Sequence, residues 1–298
     1  MKSQSTLRGM GLALCATLFY GQVPVLARLA FLHGVDGIAV VLARTAFIAC
    51  VLAPMAFAAR GDLAVLRARP GALALQGLAT LAVSTGIILS VQFIPASLAV
   101  MIFFSAPLIV LLAAPVVEGT RLTPARLAIG ALGFSGLAIA LGPSFQSLDP
   151  RGLGLAAMAA CGYALQFFSG RKLAEGLRPL PLAWAVHAVI LPPVLLFYGL
   201  MGKAAQTPLD ATGLAGLFAV CAVYVLGYSL HMASLRQADA SKVVMFFNFE
   251  PVVTMATATL LLGEQLTAAQ VTGFAIVLSA LLLSGWAAGK HPALQPTA

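Results

Sequence analysis

Ten long apolar stretches constrain this chain more than any other feature. They cover residues 9–30, 37–58, 71–92, 96–117, 124–142, 151–170, 181–201, 211–234, 240–262 and 268–288. Each is close to the roughly 20 residues that an α-helix needs to cross a bilayer core about 30 Å thick. A β-barrel would show alternating segments of about 10 residues instead, and these runs are continuous. Only 9% of the chain is charged, against about 25% in water-soluble domains. The expected fold is therefore an all-α integral membrane protein with ten transmembrane helices.

Charge placement sets the orientation. The net charge of +8 invites a nucleic-acid reading, but the basic residues follow the membrane. With the N-terminus inside, the inner segments hold Lys2, Arg8, Arg60, Arg67, Arg69, Arg121, Arg126, Arg171, Lys172, Arg178, Arg236, Lys242 and Lys290, which is 13 of the 17 Lys and Arg. This is the positive-inside pattern. It puts both termini in the cytoplasm and the loop at 201–211 outside. The first apolar run has the length of a spanning helix and contains Tyr20, Gln22 and Pro24, so no cleaved signal peptide is expected. Cys15, Cys50, Cys161 and Cys221 form no CxxC pair, and neither disulfides nor a zinc site are indicated.

The chain also repeats itself. "RGMGLALCATLFYGQVPVLAR" (8–28) aligns with "RGLGLAAMAACGYALQFFSGR" (151–171) at an offset of 143, pairing Arg8 with Arg151, Tyr20 with Tyr163 and Arg28 with Arg171. "ASLAVMIFFSAPLIV" (96–110) aligns with "ASKVVMFFNFEPVVT" (240–254) at 144, pairing Ala96 with Ala240, Ser97 with Ser241, Val100 with Val244, Met101 with Met245, Phe103 with Phe247 and Pro107 with Pro251. Leu122-Thr123 then matches Leu266-Thr267. Two units follow, at 1–142 and 151–289, each with five helices. An odd number makes the second unit enter from the opposite side. The expectation is two inverted five-helix repeats with a site near the midplane where they meet.

Taken together, these residues resemble the drug/metabolite transporter superfamily, EamA type. "EPVVTMATATLLLGEQLTAAQVTG" (250–273) is similar to that family's signature across the ninth and tenth helices, and Arg44 matches a frequent family arginine. The first repeat departs from it, with Ala106 before its proline and "EGTRLT" in place of "GEQLT". The resemblance implies a transporter, and the bacterial amino-acid and metabolite exporters of this superfamily are the nearest in character.

Pro107 and Pro251 each remove an intrahelical hydrogen bond and free the carbonyls of Phe103 and Phe247. As repeat mates they are read as gating kinks. Glu250 has two readings: a protonatable coupling residue, or a carboxyl that satisfies the irregular backbone beside the kink. Its mate is Ala106, which favours the structural role. Glu250, Thr254 and Thr257 share a helical face, while Asn248 lies about 200° away. Helix 8 carries Tyr224, Tyr228 and His231 on one face. Helix 3 carries Gln76, Thr80 and Ser84, with Thr80 the mate of Tyr224 and Ser84 of Tyr228. Such stripes either line a cavity or bond helix to helix. Arg28 and Arg171, near segment ends, are expected to snorkel. Arg44 and His187 are mates, with structural or coupling roles. The candidate substrate-binding residues are Tyr20, Gln22, Thr80, Ser84, Met101, Tyr163, Gln166, Tyr224, Tyr228 and Asn248. Thr267-x-x-Gln270, Thr123-Pro124 and Asp149-Pro150 are helix starts.

No Walker motif or GxGxxG run is present. The expectation is a secondary transporter in the inner membrane, exporting small amphipathic molecules such as neutral or aromatic amino acids. Phosphorylated substrates want several clustered basic groups, and the helix centres offer chiefly Arg44. A lipophilic-drug exporter competes within the class. An intramembrane serine protease, through "GFSG" (133–136) with His187 or His231, is the alternative from another class. The expected partners are a small-molecule substrate and the lipid bilayer, with no nucleic acid, no cofactor and no metal, and a monomer is the working expectation.

Overall fold

The computed structural model describes residues 2–119, 123–141, 148–174, 176–201, 210–235, 237 and 246–290. Residues 240–245 of the ninth expected span, most of the 201–211 loop including Gln206, and Arg121, Leu122 and Arg236 lie outside the described residues, as do the repeat matches Ala240, Ser241, Val244 and Met245. The side chain of Arg171 is likewise outside them.

Among the described residues the chain is helical: α1 (Lys2–Tyr20), α2 (Val23–Leu32), α3 (Gly37–Phe57), α4 (Arg60–Arg67), α5 (Pro70–Ser90), α6 (Ala96–Phe103), α7 (Ala106–Glu118), α8 (Pro124–Leu141), α9 (Pro150–Ala174), α10 (Pro179–Met201), α11 (Ala211–Leu235), α12 (Glu250–Leu262) and α13 (Ala268–Lys290). Eight helical spans are long and apolar enough to cross a membrane, counting α1–α2 and α6–α7 each as one. The apolar helices at Glu250–Leu262 and Ala268–Ser284 are shorter.

Local chemistry sets the boundaries. Asp36 caps α3 by accepting from Ala39 N at 3.0 Å. Thr267 and Gln270 bond reciprocally, at 2.9 and 3.2 Å, to start α13. Both α7 and α12 end on a left-handed glycine, Gly119 (φ 67°) and Gly263 (φ 66°), a backbone conformation that other residues adopt only with strain. These glycines are repeat mates at the offset of 144.

Three spans break. Pro107 and Pro251 stand in the first turns of α7 and α12, just after non-helical steps at Phe104-Ser105 and Asn248-Phe249. Pro24 does the same after Gly21-Gln22. This third break has no counterpart, because Phe167 replaces Pro24 in the second repeat and α9 runs unbroken. The segment between spans two and three, unassigned in the sequence reading, forms the short helix α4. It buries Leu63 and Leu66 against Leu173 and Ala185.

Packing is symmetric under exchange of the repeats. The α1–α11 and α5–α9 pairs are mates, while α3–α10 and α8–α13 each pair a helix with its own mate. Close approach needs small residues: a Cβ on Gly136 would lie 2.7 Å from the Gly273 carbonyl, and one on Gly86 would lie 2.5 Å from that of Leu155. At one end of the bundle His33 pairs with Asp210 at 2.8 Å, and Arg151 lies over Phe93 at 4.3 Å. At the other end Asp62 pairs with Arg178 at 2.7 Å.

Candidate functional site

Where the repeats meet, two aromatic contacts mirror each other. Tyr20 of the first repeat packs on Phe247 of the second at 5.9 Å between ring centres. Its mate Tyr163 packs edge-on against Phe103, the mate of Phe247, at 5.5 Å. Each contact joins the aromatic pivot of one span to the residue just before the proline break of another. Tyr163 keeps 37% of its surface accessible.

Tyr20 leads into a larger cluster on α11. Its ring lies 6.1 Å from Tyr224 and 6.2 Å from His231, in a space that Gly227 leaves open beside it. His187 on α10 donates from Nδ1 to the Ala183 carbonyl at 2.8 Å, which fixes Nε2 as the acceptor for the Tyr224 hydroxyl at 3.2 Å. Tyr228 packs on both His187 and Tyr224. Arg44 on α3 reaches across the repeats, with Cζ 4.1 Å above the Tyr224 ring and Nη2 donating to Ser84 Oγ.

The helix 3 stripe is otherwise satisfied between helices. Thr80 donates to the Gln76 carbonyl at 2.8 Å and accepts from Gln166 Nε2 at 2.9 Å. Ser169 donates to Gln76 Oε1 at 2.6 Å. Thus Thr80 and Gln166 bond to each other across α5 and α9. Asn248 is buried in the break ahead of α12. Gln22 turns back onto its own helix, donating to the Leu18 carbonyl at 2.8 Å. Met101 is not brought to the cluster; it packs in an apolar nest with Ala140, Met255 and Phe274. An apolar pocket of about 300 Å³, walled by residues such as Leu81, Leu155 and Phe197, holds none of the candidate residues.

Glu250 lies within electrostatic reach of Tyr20 and Tyr163. Its side chain has no hydrogen bond or ion pair among the described residues. At the Pro24 break another side chain bonds the irregular backbone: Thr254 donates to the Gly21 carbonyl at 2.7 Å. Gly21 lets this happen, since a Cβ there would sit 2.9 Å from the Glu250 carbonyl and 2.7 Å from Val253.

Sequence reasoning missed a further inter-repeat contact. The Glu264 carboxylate accepts from Ala96 N at 2.7 Å, Ser97 N at 3.2 Å and Ser97 Oγ at 2.6 Å. It thereby caps α6 of the other repeat, where Pro95 supplies no side-chain cap. Arg28 joins it at 3.9 Å. Arg28 does not snorkel: Nη1 donates to the carbonyls of Val91 and Ile94, at 2.9 and 2.5 Å, at the end of α5. Their sequence separation of more than 60 residues hid these partnerships.

The protease constellation does not assemble. Ser135 Oγ donates to its own helix at Leu132 O, 2.8 Å away, and its flanking glycines are packing positions against Leu108 and Gly273. His187 is committed to Ala183 and Tyr224.

No curated protein matches the chain. A solved structure titled "Crystal structure of protein" superposes with a TM-score of 0.65 at 18% identity, over 97% of this chain and 98% of that one. That likeness shows the fold. The sequence model of the EamA-like transporter family matches twice, over residues 7–142 and 150–286. Together these matches cover most of the chain, which therefore belongs to the EamA-like transporter family and is a multi-pass membrane protein.

Proposed function

We propose that this protein is a secondary exporter of small amphipathic metabolites, chiefly neutral or aromatic amino acids. It works by alternating access through a cavity between two inverted five-helix repeats. The observation that carries this reading is the mirrored pair Tyr20–Phe247 and Tyr163–Phe103. It sets matched aromatic contacts from both repeats beside two proline breaks. Inversion is supported by the exchange-symmetric helix pairing and by end contacts such as His33–Asp210 and Asp62–Arg178, which join loops that alternate crossing puts on one side. Ten spans then place both termini in the cytoplasm of an inner-membrane protein, in line with the basic residues.

Pro107 and Pro251 serve as hinges of the two gates. Glu250 acts as the protonatable coupling group, since its side chain has no hydrogen bond or ion pair among the described residues and an ionisable side chain this deep is functional by default. Tyr20, Tyr163, Tyr224 and Tyr228 offer faces to an apolar or aromatic side chain. The competing reading, a lipophilic-drug exporter, is favoured by the same aromatic walls and by a carboxyl that would take a cation.

Alanine at Tyr163, Gln166, Tyr224, Tyr228 and Asn248, one at a time, tests the site in proteoliposomes. Transport should fall in several of these variants while folding and expression hold. Wild-type rates in all five would mean that the stripes only pack.

A further inference from the structure

Arg44 is anomalous. It lies eight residues into α3 and is only 5% exposed. A guanidinium carries five N–H donors and one permanent charge. Among the described residues Ser84 is its one hydrogen-bond acceptor, and Nε is buried with no acceptor at all. No carboxylate pairs with it among them. Stacking over Tyr224 stabilises the face of the cation but leaves its edge unpaired. The ring beneath is itself held, because the Tyr224 hydroxyl bonds His187 Nε2. The guanidinium is therefore oriented and under-satisfied, at a place where an unpaired charge is costly.

We infer that Arg44 receives the carboxylate of the transported molecule, which makes the substrate class an amphipathic carboxylate. This rests on the transport reading above and narrows it. A carboxylate is planar and accepts two parallel N–H bonds from a guanidinium. It would supply both the missing charge and the missing acceptors. Arg44 stacks on Tyr224, whose own ring neighbours are Tyr20, Tyr228 and His187. They suit the apolar remainder of such a molecule. A cationic drug gains nothing at this position and meets like charge.

The test is equilibrium binding to the full-length protein in lipid nanodiscs. The probes are tritiated L-phenylalanine, L-leucine and L-threonine, each competed by itself and by its carboxamide. The amide keeps the ammonium and the side chain and loses only the anion. The wild-type protein should prefer acid over amide by about tenfold to a hundredfold, the range for a charge-assisted pair. Arg44→Gln should bring that ratio close to one, and Arg44→Lys should leave an intermediate preference. Equal binding of acid and amide by the wild type overturns the inference and leaves the amino-acid reading standing. So does an Arg44→Gln protein that binds both more weakly but keeps their ratio. Failure of every probe to bind would instead overturn the amino-acid reading, and this inference with it.

Discussion

Removing the Glu264 carboxylate should release one end of the two repeats. Its three hydrogen bonds satisfy two backbone N–H groups at the start of α6, and only 11% of the side chain is exposed. Hydrogen bonds to a charged group contribute about 1.5–3 kcal/mol each, with strong overlap between them. An anion at a helix N-terminus adds about 0.3–1 kcal/mol. Glu264→Ala therefore costs this contact roughly 2–4 kcal/mol. At about 1.4 kcal/mol per factor of ten, even a loss near 2 kcal/mol changes the open-to-closed ratio about 30-fold. Hydrogen exchange followed by mass spectrometry reads this directly. The amides of Ala96 and Ser97 should exchange about 30-fold faster or more in Glu264→Ala. Peptides over α4, at the opposite end, should be unchanged. Glu264→Gln keeps the shape but turns one acceptor into a donor, and should lie between. Unaltered protection at residues 96–97 in Glu264→Ala would refute the claim that this carboxylate holds the repeats together.

Other consequences follow from the same geometry. Thr254→Val leaves the Gly21 carbonyl without its donor and should lower stability by about 1–3 kcal/mol, whereas Thr254→Ser should not; denaturant titration of the two variants decides. Pro251→Ala and Pro107→Ala restore an N–H at the breaks, so each should slow substrate exchange in liposomes, and faster exchange would remove the hinge role. The Asp149 carboxylate is held below the ordinary range by the side-chain bond to Arg151, and the Asp210 carboxylate by the Gly213 N–H and then His33. Depressed values mean that their stabilisation is complete above the usual carboxylate pKa near 4 and is lost as pH falls through the lower folded values. Thermal melts of Asp149→Asn and Asp210→Asn should thus differ from wild type at pH 6 and converge with it at the acid end.

Much of this architecture is legible in the sequence, because a membrane leaves few options. Backbone groups in lipid must bond within a helix, so apolar length alone marks most spans, and the structure adds a match that the sequence reading passed over, Gly119 and Gly263 in equivalent left-handed turns. Pro107 and Pro251 mark breaks because each lacks the N–H that would bond the carbonyl four residues back. Pro24 causes a third break that repeat matching obscured, since its mate Phe167 belongs to an unbroken helix. The short α4 escaped notice because its arginines read as loop, while Leu63 and Leu66 alone carry its buried face. The aromatic cluster was foreseeable from the spacing of Tyr224, Tyr228 and His231. The partners of Glu264, Thr254 and Arg28 were not, since each depends on a contact more than 60 residues away in sequence. Met101 shares its helix with Phe103, yet it turns to the opposite side, towards α8 and α13.

The most direct test of the central claim is movement of solute by the purified protein alone. Proteoliposomes would be loaded with labelled neutral and aromatic amino acids, and flux followed with and without a pH gradient. The account predicts saturable flux of at least one of these, accelerated by the gradient. With Glu250→Gln, exchange should persist and gradient-driven accumulation should vanish. No flux above protein-free liposomes for any member of the panel would contradict the account, as would gradient-driven accumulation that survives in Glu250→Gln.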